Sequence, residues 1–326
     1  MRWPLIKHLP DKTNFRFVRP AKVAAVLSLL AVLASLFLSV YPAKTLCGGL
    51  NCGVDFKGGT VMELSTAPRP VDLGRVRGVL NGLRLGDVQV QTFSTEEDKA
   101  GRYNASVRFE TPQGASSART VTTVKERLGQ VLGPTRFSRT EVVGAKVSNE
   151  LFRGGVIALL LAIGFMLLYI WFRFGLTYGI GAVAALFHDV ILTFGLFAVT
   201  NIEFTLTAVA AILTVIGYSM NDTVVVLDRI RENRRKFKRM PLGELIDLSI
   251  NETLSRTLVT GVTGLMALIV LAIYGGEALF SFSIAMIFGI VIGTYSSIFV
   301  AAPVLLLGGL KPGEDAEVIK PQPARP

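Results

Sequence analysis

Six stretches of this chain are each apolar enough to cross a lipid bilayer, and that property restricts the fold more than any other feature of the sequence. They cover residues 21–40, 156–172, 176–200, 204–227, 258–273 and 280–307. A helix needs about 20 predominantly apolar residues to cross the ~30 Å hydrocarbon core, and a backbone placed there must satisfy its own hydrogen bonds. Hydrophobic residues make up 51% of the 326 and charged residues only 18%, which points away from buried helices of a soluble protein. The expected class is an α-helical integral membrane protein with six transmembrane helices.

A net charge of +10 invites a nucleic-acid reading, but the basic residues collect beside apolar spans and no aromatic–basic recognition motif accompanies them. No nucleic-acid partner is expected. The basic residues gather at the amino terminus (Arg2, Lys7, Lys12, Arg16, Arg19, Lys22) and after the fourth span (Arg229, Arg231, Arg234, Arg235, Lys236, Lys238, Arg239). Short basic loops stay cytoplasmic. An even number of spans puts both termini and the connection after span four on one side, so the two clusters agree. The expected organisation is a cytoplasmic amino terminus (1–20), a first span (21–40), an external domain (41–150), five further spans (151–307) and a cytoplasmic tail (308–326). A cytoplasmic amphipathic loop (228–256) interrupts the last five. A cleaved signal peptide is the rival reading of the first span; its apolar run is longer than such peptides carry.

The external segment reads as a small α/β domain. Residues 54–64 look strand-like, and Leu73, Val76, Leu80 and Leu83 fall at helical spacing. A second strand is expected at 88–93. Tyr103, Ala105, Val107 and Phe109 alternate as a third, Val121, Val124, Leu128 and Val131 mark a second helix, and a last strand falls near 136–143. This βαββαβ order is the split, ferredoxin-like pattern. The only cysteines, Cys47 and Cys52, lie at its start; a disulfide, free thiols, and a metal or redox pair are all open to them.

After span four, Leu242, Leu245, Ile246, Ser249, Ile250, Thr253 and Leu254 share one helical face, the pattern of a helix lying along the membrane surface. Gly175 and Gly179, and likewise Gly289 and Gly293, are spaced for close helix approach. No phosphate-binding loop, zinc-ligand spacing or nucleophile elbow occurs, so neither an enzyme, nor a metal site, nor a bound cofactor is expected.

Chemistry is expected where ionisable residues lie within apolar spans. Such a residue costs roughly 2.5–3.5 kcal/mol on insertion scales and usually faces the bundle interior. His188 and Asp189 fall in the third span, Asp222 in the fourth, and Arg256 just before the fifth. A carboxylate facing an arginine is held charged and releases that arginine when protonated, which is the minimum needed to couple a proton to helix movement. A static ion pair fixing helix packing is the equal alternative for Asp222 and Arg256, and the structural role is favoured for His188 and Asp189. Asp228, Arg229, Arg231 and Glu232 read as a solvated helix end.

Three motifs then carry a resemblance. GYSMNDTVVVLDRIREN at 217–233 resembles the fourth-span motif of the SecF members of the SecD/SecF protein-export family, with Gly217, Asn221, Asp222, Asp228 and Arg229 on matching positions. VDFKGGT at 54–60 resembles the signature opening that family's external domain, through Asp55, Gly58 and Gly59. LSRTLVT at 254–260 resembles its fifth-span motif, and the His188–Asp189 pair falls where the family has one. Cys47 and Cys52 depart from the pattern, as does Gly261, which stands where serine is frequent.

The resemblance implies half of a resistance-nodulation-division (RND) bundle in the bacterial inner membrane, with a periplasmic external domain. It implies SecD as the complementary half, the SecYEG channel and YajC as partners, and a translocating preprotein as substrate. Its implied role is to use the proton-motive force to complete protein export, with protons as coupling ion, Asp222 and Arg256 as the relay, and His188 and Asp189 as a secondary relay or a structural pair. Two other readings stay open: a non-conducting scaffold organising SecD and SecYEG, and a small-molecule or lipid exporter of the same superfamily.

Overall fold

The computed structural model describes residues 13–41, 47–83, 85–86, 88–93, 103–110 and 116–307. Arg2, Lys7, Lys12 and the tail 308–326 lie outside the described residues. Two compact units form, one from Met1–Asn51 and Ala158–Pro326, the other from Cys52–Ile157.

In the second unit, strands β1 (Gly59–Thr66), β2 (Val88–Phe93), β3 (Tyr103–Phe109) and β4 (Thr135–Val143) form one sheet in the order β2-β3-β1-β4, with every neighbouring pair antiparallel. Helices α3 (Leu73–Gly82) and α4 (Ser117–Leu132) follow β1 and β3. Alternation along the strands sends Met62, Leu64, Val90, Ala105, Val107 and Phe109 to one face, where they bury against Val76 and Leu80 of α3 and Val124 and Leu128 of α4. Asp72 caps α3 by accepting from the Arg75 amide at 3.1 Å.

The expected strand at 54–64 is corrected at its start. Val54–Lys57 is a helical turn, α2, closed by Gly58 N–H donating to the Val54 carbonyl at 2.8 Å. Gly58 and Gly59 have φ of 78° and 119°, conformations that side chains with a Cβ rarely adopt, so the pair ends the turn and launches β1. A Cβ on Gly59 would also lie 2.8 Å from the Phe109 carbonyl oxygen.

Five helices among the described residues are long and apolar enough to cross a membrane by length and composition. They are α1 (Ala21–Val40), α5 (Ala145–Thr200), α6 (Leu206–Lys236), α7 (Leu242–Tyr274) and α8 (Gly276–Ser296) with its extension. A straight helix of 56 residues would run about 84 Å, more than twice the hydrocarbon thickness. α5 is not straight: Gly175 breaks it with φ 67° and ψ −174°. Gly175 is therefore a turn residue and not the packing residue its spacing with Gly179 suggested.

The other glycine pair does pack. α8 lies against α6, and a Cβ on Gly293 would come within 2.8 Å of Ser219 Cβ, while one on Gly289 would strike Val215. α8 passes through a π-helical turn (Ser297–Ala301) into α9 (Ala302–Leu307).

No separate surface helix follows span four. α7 is continuous from Leu242, because neither a proline nor a positive-φ residue interrupts it. Its Leu245, Ile246, Ser249, Ile250 and Thr253 are buried by protein, with Asn233 of α6 donating to Ser249 Oγ at 3.0 Å. On another side of α7, Asn251 exchanges hydrogen bonds with the Phe15 backbone at 2.9 and 2.8 Å, and Asp247 accepts from the Val18 amide at 2.8 Å.

Candidate functional site

Asp222 is only 3% exposed although it stands on an apolar helix, because α6 is covered by α7 and α8. Its Oδ2 has no hydrogen-bond partner. A buried polar atom left unpartnered costs about 1–3 kcal/mol, so this oxygen is a place where a proton or a donor would be stabilising. Arg256 of α7 is the charged group whose field reaches Asp222, but no ion pair within 4.0 Å joins the two. The guanidinium is exposed. One turn before Asp222, the buried Tyr218 hydroxyl also lacks a partner, as do Thr223 and Thr257 Oγ1. Gly217 and Asn221 lie on the exposed face of α6.

In the second ionisable pair both carboxylate oxygens are engaged. His188 Nδ1 lies 2.8 Å from Asp189 Oδ1, and Asp189 Oδ2 accepts from Ser219 of α6 and, at 2.7 Å, from Ser296 of α8. His188 stacks on Tyr295 at 5.9 Å, and the Tyr295 hydroxyl lies 2.9 Å from Ser28 Oγ and donates to the Ala24 carbonyl at 3.1 Å. This cluster joins α1, α5, α6 and α8. His188 Nε2 is its one orphaned nitrogen. Sequence reasoning missed Ser28, Ser219, Tyr295 and Ser296; small polar residues in apolar helices were the available signal.

The end of α6 is not simply solvated. Asp228 pairs with Arg173 of α5 at 2.5 Å, and Arg229 bridges Glu232 at 2.7 Å and Glu252 of α7 at 2.7 Å. Asn233 also donates to Glu252, at 2.6 Å. Partial burial pushes the Glu252 carboxyl up, but the hydrogen bonds from Arg229 and Asn233 outweigh it and hold it below its ordinary range. Asp55 sits in the first turn of α2, beside the two glycines. Cys47 and Cys52 are joined as a disulfide. Among the described residues no group of three or more His, Cys, Asp or Glu side chains could hold a metal ion.

The family model described as "Protein export membrane protein SecD/SecF, C-terminal" matches residues 123–310, and the SecD/SecF GG motif matches residues 48–68. The chain belongs to the SecD/SecF family. Its GG motif contains Gly58 and Gly59, the two positive-φ residues that open β1. Among SecD/SecF relatives, protein translocase subunit SecF of Rickettsia rickettsii is 40% identical over 305 residues, 93% of this chain and 94% of that one. The SecF subunit of Cereibacter sphaeroides is 42% identical over 315 residues, 94% of each. The crystal structure of SecDF, a translocon-associated membrane protein from Thermus thermophilus, matches with a TM-score of 0.78 and 32% identity over 94% of this chain. A crystal structure of SecDF in a super-membrane-facing form matches 90% of the chain with a TM-score of 0.63 and 34% identity. In both, the chain spans 39% of the length of the solved SecDF chain.

Proposed function

We propose that the chain is a proton-driven SecF-type subunit that pairs with SecD and helps SecYEG, with YajC, to complete export of preproteins across the bacterial inner membrane. The observation that carries this reading is Asp222, buried with an unpartnered carboxylate oxygen and facing the field of Arg256 on the adjacent helix. Protonation of Asp222 frees Arg256, and release of the proton draws the two together; a proton biases such an equilibrium only through its different affinity for the two arrangements. One charge crossing the membrane delivers roughly 2.3 kcal/mol per 100 mV, enough for a few protons to reset a domain. Protons are the only coupling species this needs, and the role is transport, not catalysis.

Counting the break at Gly175 as a boundary gives six spans, and the β2-β3-β1-β4 sheet with two helices on one face fits the ferredoxin-like reading of a periplasmic domain. With six spans, both termini and the basic end of α6 are cytoplasmic. Ala210, Thr214, Gly217 and Asn221 form an exposed stripe of small and polar residues along α6, the type of surface against which another membrane helix packs closely. It supports SecD as the complementary half of an RND-type bundle.

The test is Asp222→Asn, which keeps size and hydrogen bonding but cannot ionise. In inverted vesicles it should assemble with SecD, lose the gradient-dependent part of export and keep the ATP-driven part. Full-rate export with an imposed gradient replaces the relay with a scaffold that organises SecD and SecYEG.

A further inference from the structure

Where α5 breaks and α6 ends, Arg173, Asp228, Arg231, Glu232, Arg235 and Lys236 line a cleft of about 430 Å3. Its two carboxylates are already taken, Asp228 by Arg173 at 2.5 Å and Glu232 by Arg229 at 2.7 Å. Arg231 and Arg235 make no hydrogen bond or ion pair among the described residues. They stand four residues apart on one face of α6, where like charges repel. The negative end of the helix dipole explains cations in the last turn of α6. It does not explain why unpartnered guanidinia converge on a cleft with a further arginine supplied by α5. An anion there relieves the repulsion, and guanidinium groups match phosphate oxygens two at a time.

The surroundings say which anion. Trp171 is 61% exposed, Phe172 92% and Leu176 74%, so the break in α5 presents an apolar and aromatic ledge beside the basic cleft. Aromatic residues concentrate at the level of lipid headgroups, and basic pockets between membrane helices take anionic headgroups. A soluble phosphate would use the arginines and leave the ledge unexplained. We propose that this cleft holds the phosphate of an anionic phospholipid, with the acyl chains lying along Trp171, Phe172 and Leu176. Asp228 then serves to hold Arg173 at the rim.

The chain has two tryptophans, so Trp3→Phe leaves Trp171 as a local fluorescent donor. The full chain in mild detergent is titrated with dansyl-labelled phosphatidylglycerol and, separately, with dansyl-labelled phosphatidylethanolamine. Energy transfer should favour the anionic lipid. Replacing both Arg231 and Arg235 by Gln should weaken that binding by about five-fold per charge, or ~25-fold together. Lys238→Gln with Arg239→Gln removes the same charge next to the cleft and should change little. Equal transfer to both lipids, or equal losses in the two double variants, overturns the site. Displacement of the labelled lipid by millimolar inorganic phosphate assigns the cleft to a soluble anion and overturns the lipid reading. Should the arginine variant not fold, the comparison of the two lipids on the otherwise unchanged chain still decides. None of these readouts depends on Asp222.

Discussion

The Ser219 hydroxyl donates to the Asp189 carboxylate only three residues before Asp222 on the same helix. The buried pair on α5 therefore sets the rotation of the helix that carries the candidate relay. Asp189→Ala should leave Ser219, Ser296 and His188 without their acceptor and cost about 2–4 kcal/mol, because several buried donors lose one partner together. Asp189→Asn should cost less. Thermal unfolding in detergent, followed by loss of monodispersity, measures both; equal stability for the alanine variant contradicts the clamp.

Arg256→Met should reproduce the loss expected of Asp222→Asn in gradient-driven export. The double variant should be no worse than either single one, since residues acting as one unit are not additive. Additive losses in vesicle export would mean that the two side chains serve different steps.

Gly293→Val should destabilise the α6–α8 contact by about 1–3 kcal/mol, because its side chain meets Ser219 at a point where only a hydrogen now fits. Gly175→Ala has open space around its Cβ and should still cost about 1–3 kcal/mol through its backbone conformation alone, one that essentially only glycine adopts. Comparing their melting temperatures separates crowding from backbone strain.

Glu252 links α7 to Arg229 and Asn233 with a folded-state pKa below its ordinary value of 4.5. A depressed carboxyl contributes stability above its unfolded pKa and loses it as pH falls through the folded one. The native chain should thus exceed Glu252→Gln in melting temperature at neutral pH, and the gap should close below about pH 4.5. A gap that stays constant down to strong acid would show that the carboxylate charge contributes nothing.

Intact-mass measurement after alkylation without reductant should show no added label at Cys47 or Cys52, as their disulfide requires. Two labels would mean free thiols in the purified protein.

Much of this was legible from spacing. The gap between apolar stretches at 172 and 176 marked the break at Gly175, and the alternation of Ala105, Val107 and Phe109 marked a core strand. Residues 54–57 misled because Val and Phe favour strands, whereas the turn is dictated by the two glycines that follow. The amphipathic face at 242–254 was real, but one sequence cannot say whether lipid or protein covers it; α6 does. Asp222, Arg256, His188 and Asp189 stood out by charge. The serines that hold Asp189 did not, since a hydroxyl costs little in an apolar helix and signals its role only once a partner helix is placed beside it.

α7 runs without a hinge for 33 residues, about 50 Å. Asp247 and Asn251 grip the chain at Phe15 and Val18 near one end, and Arg256 stands barely more than a turn further along. A rod of that length that tilts by about 5° carries its tip roughly 4 Å. α7 is thus a lever with the guanidinium near its gripped end: whatever displaces Arg256 tugs the amino-terminal segment at once and sweeps the opposite tip, at Tyr274, through the larger arc.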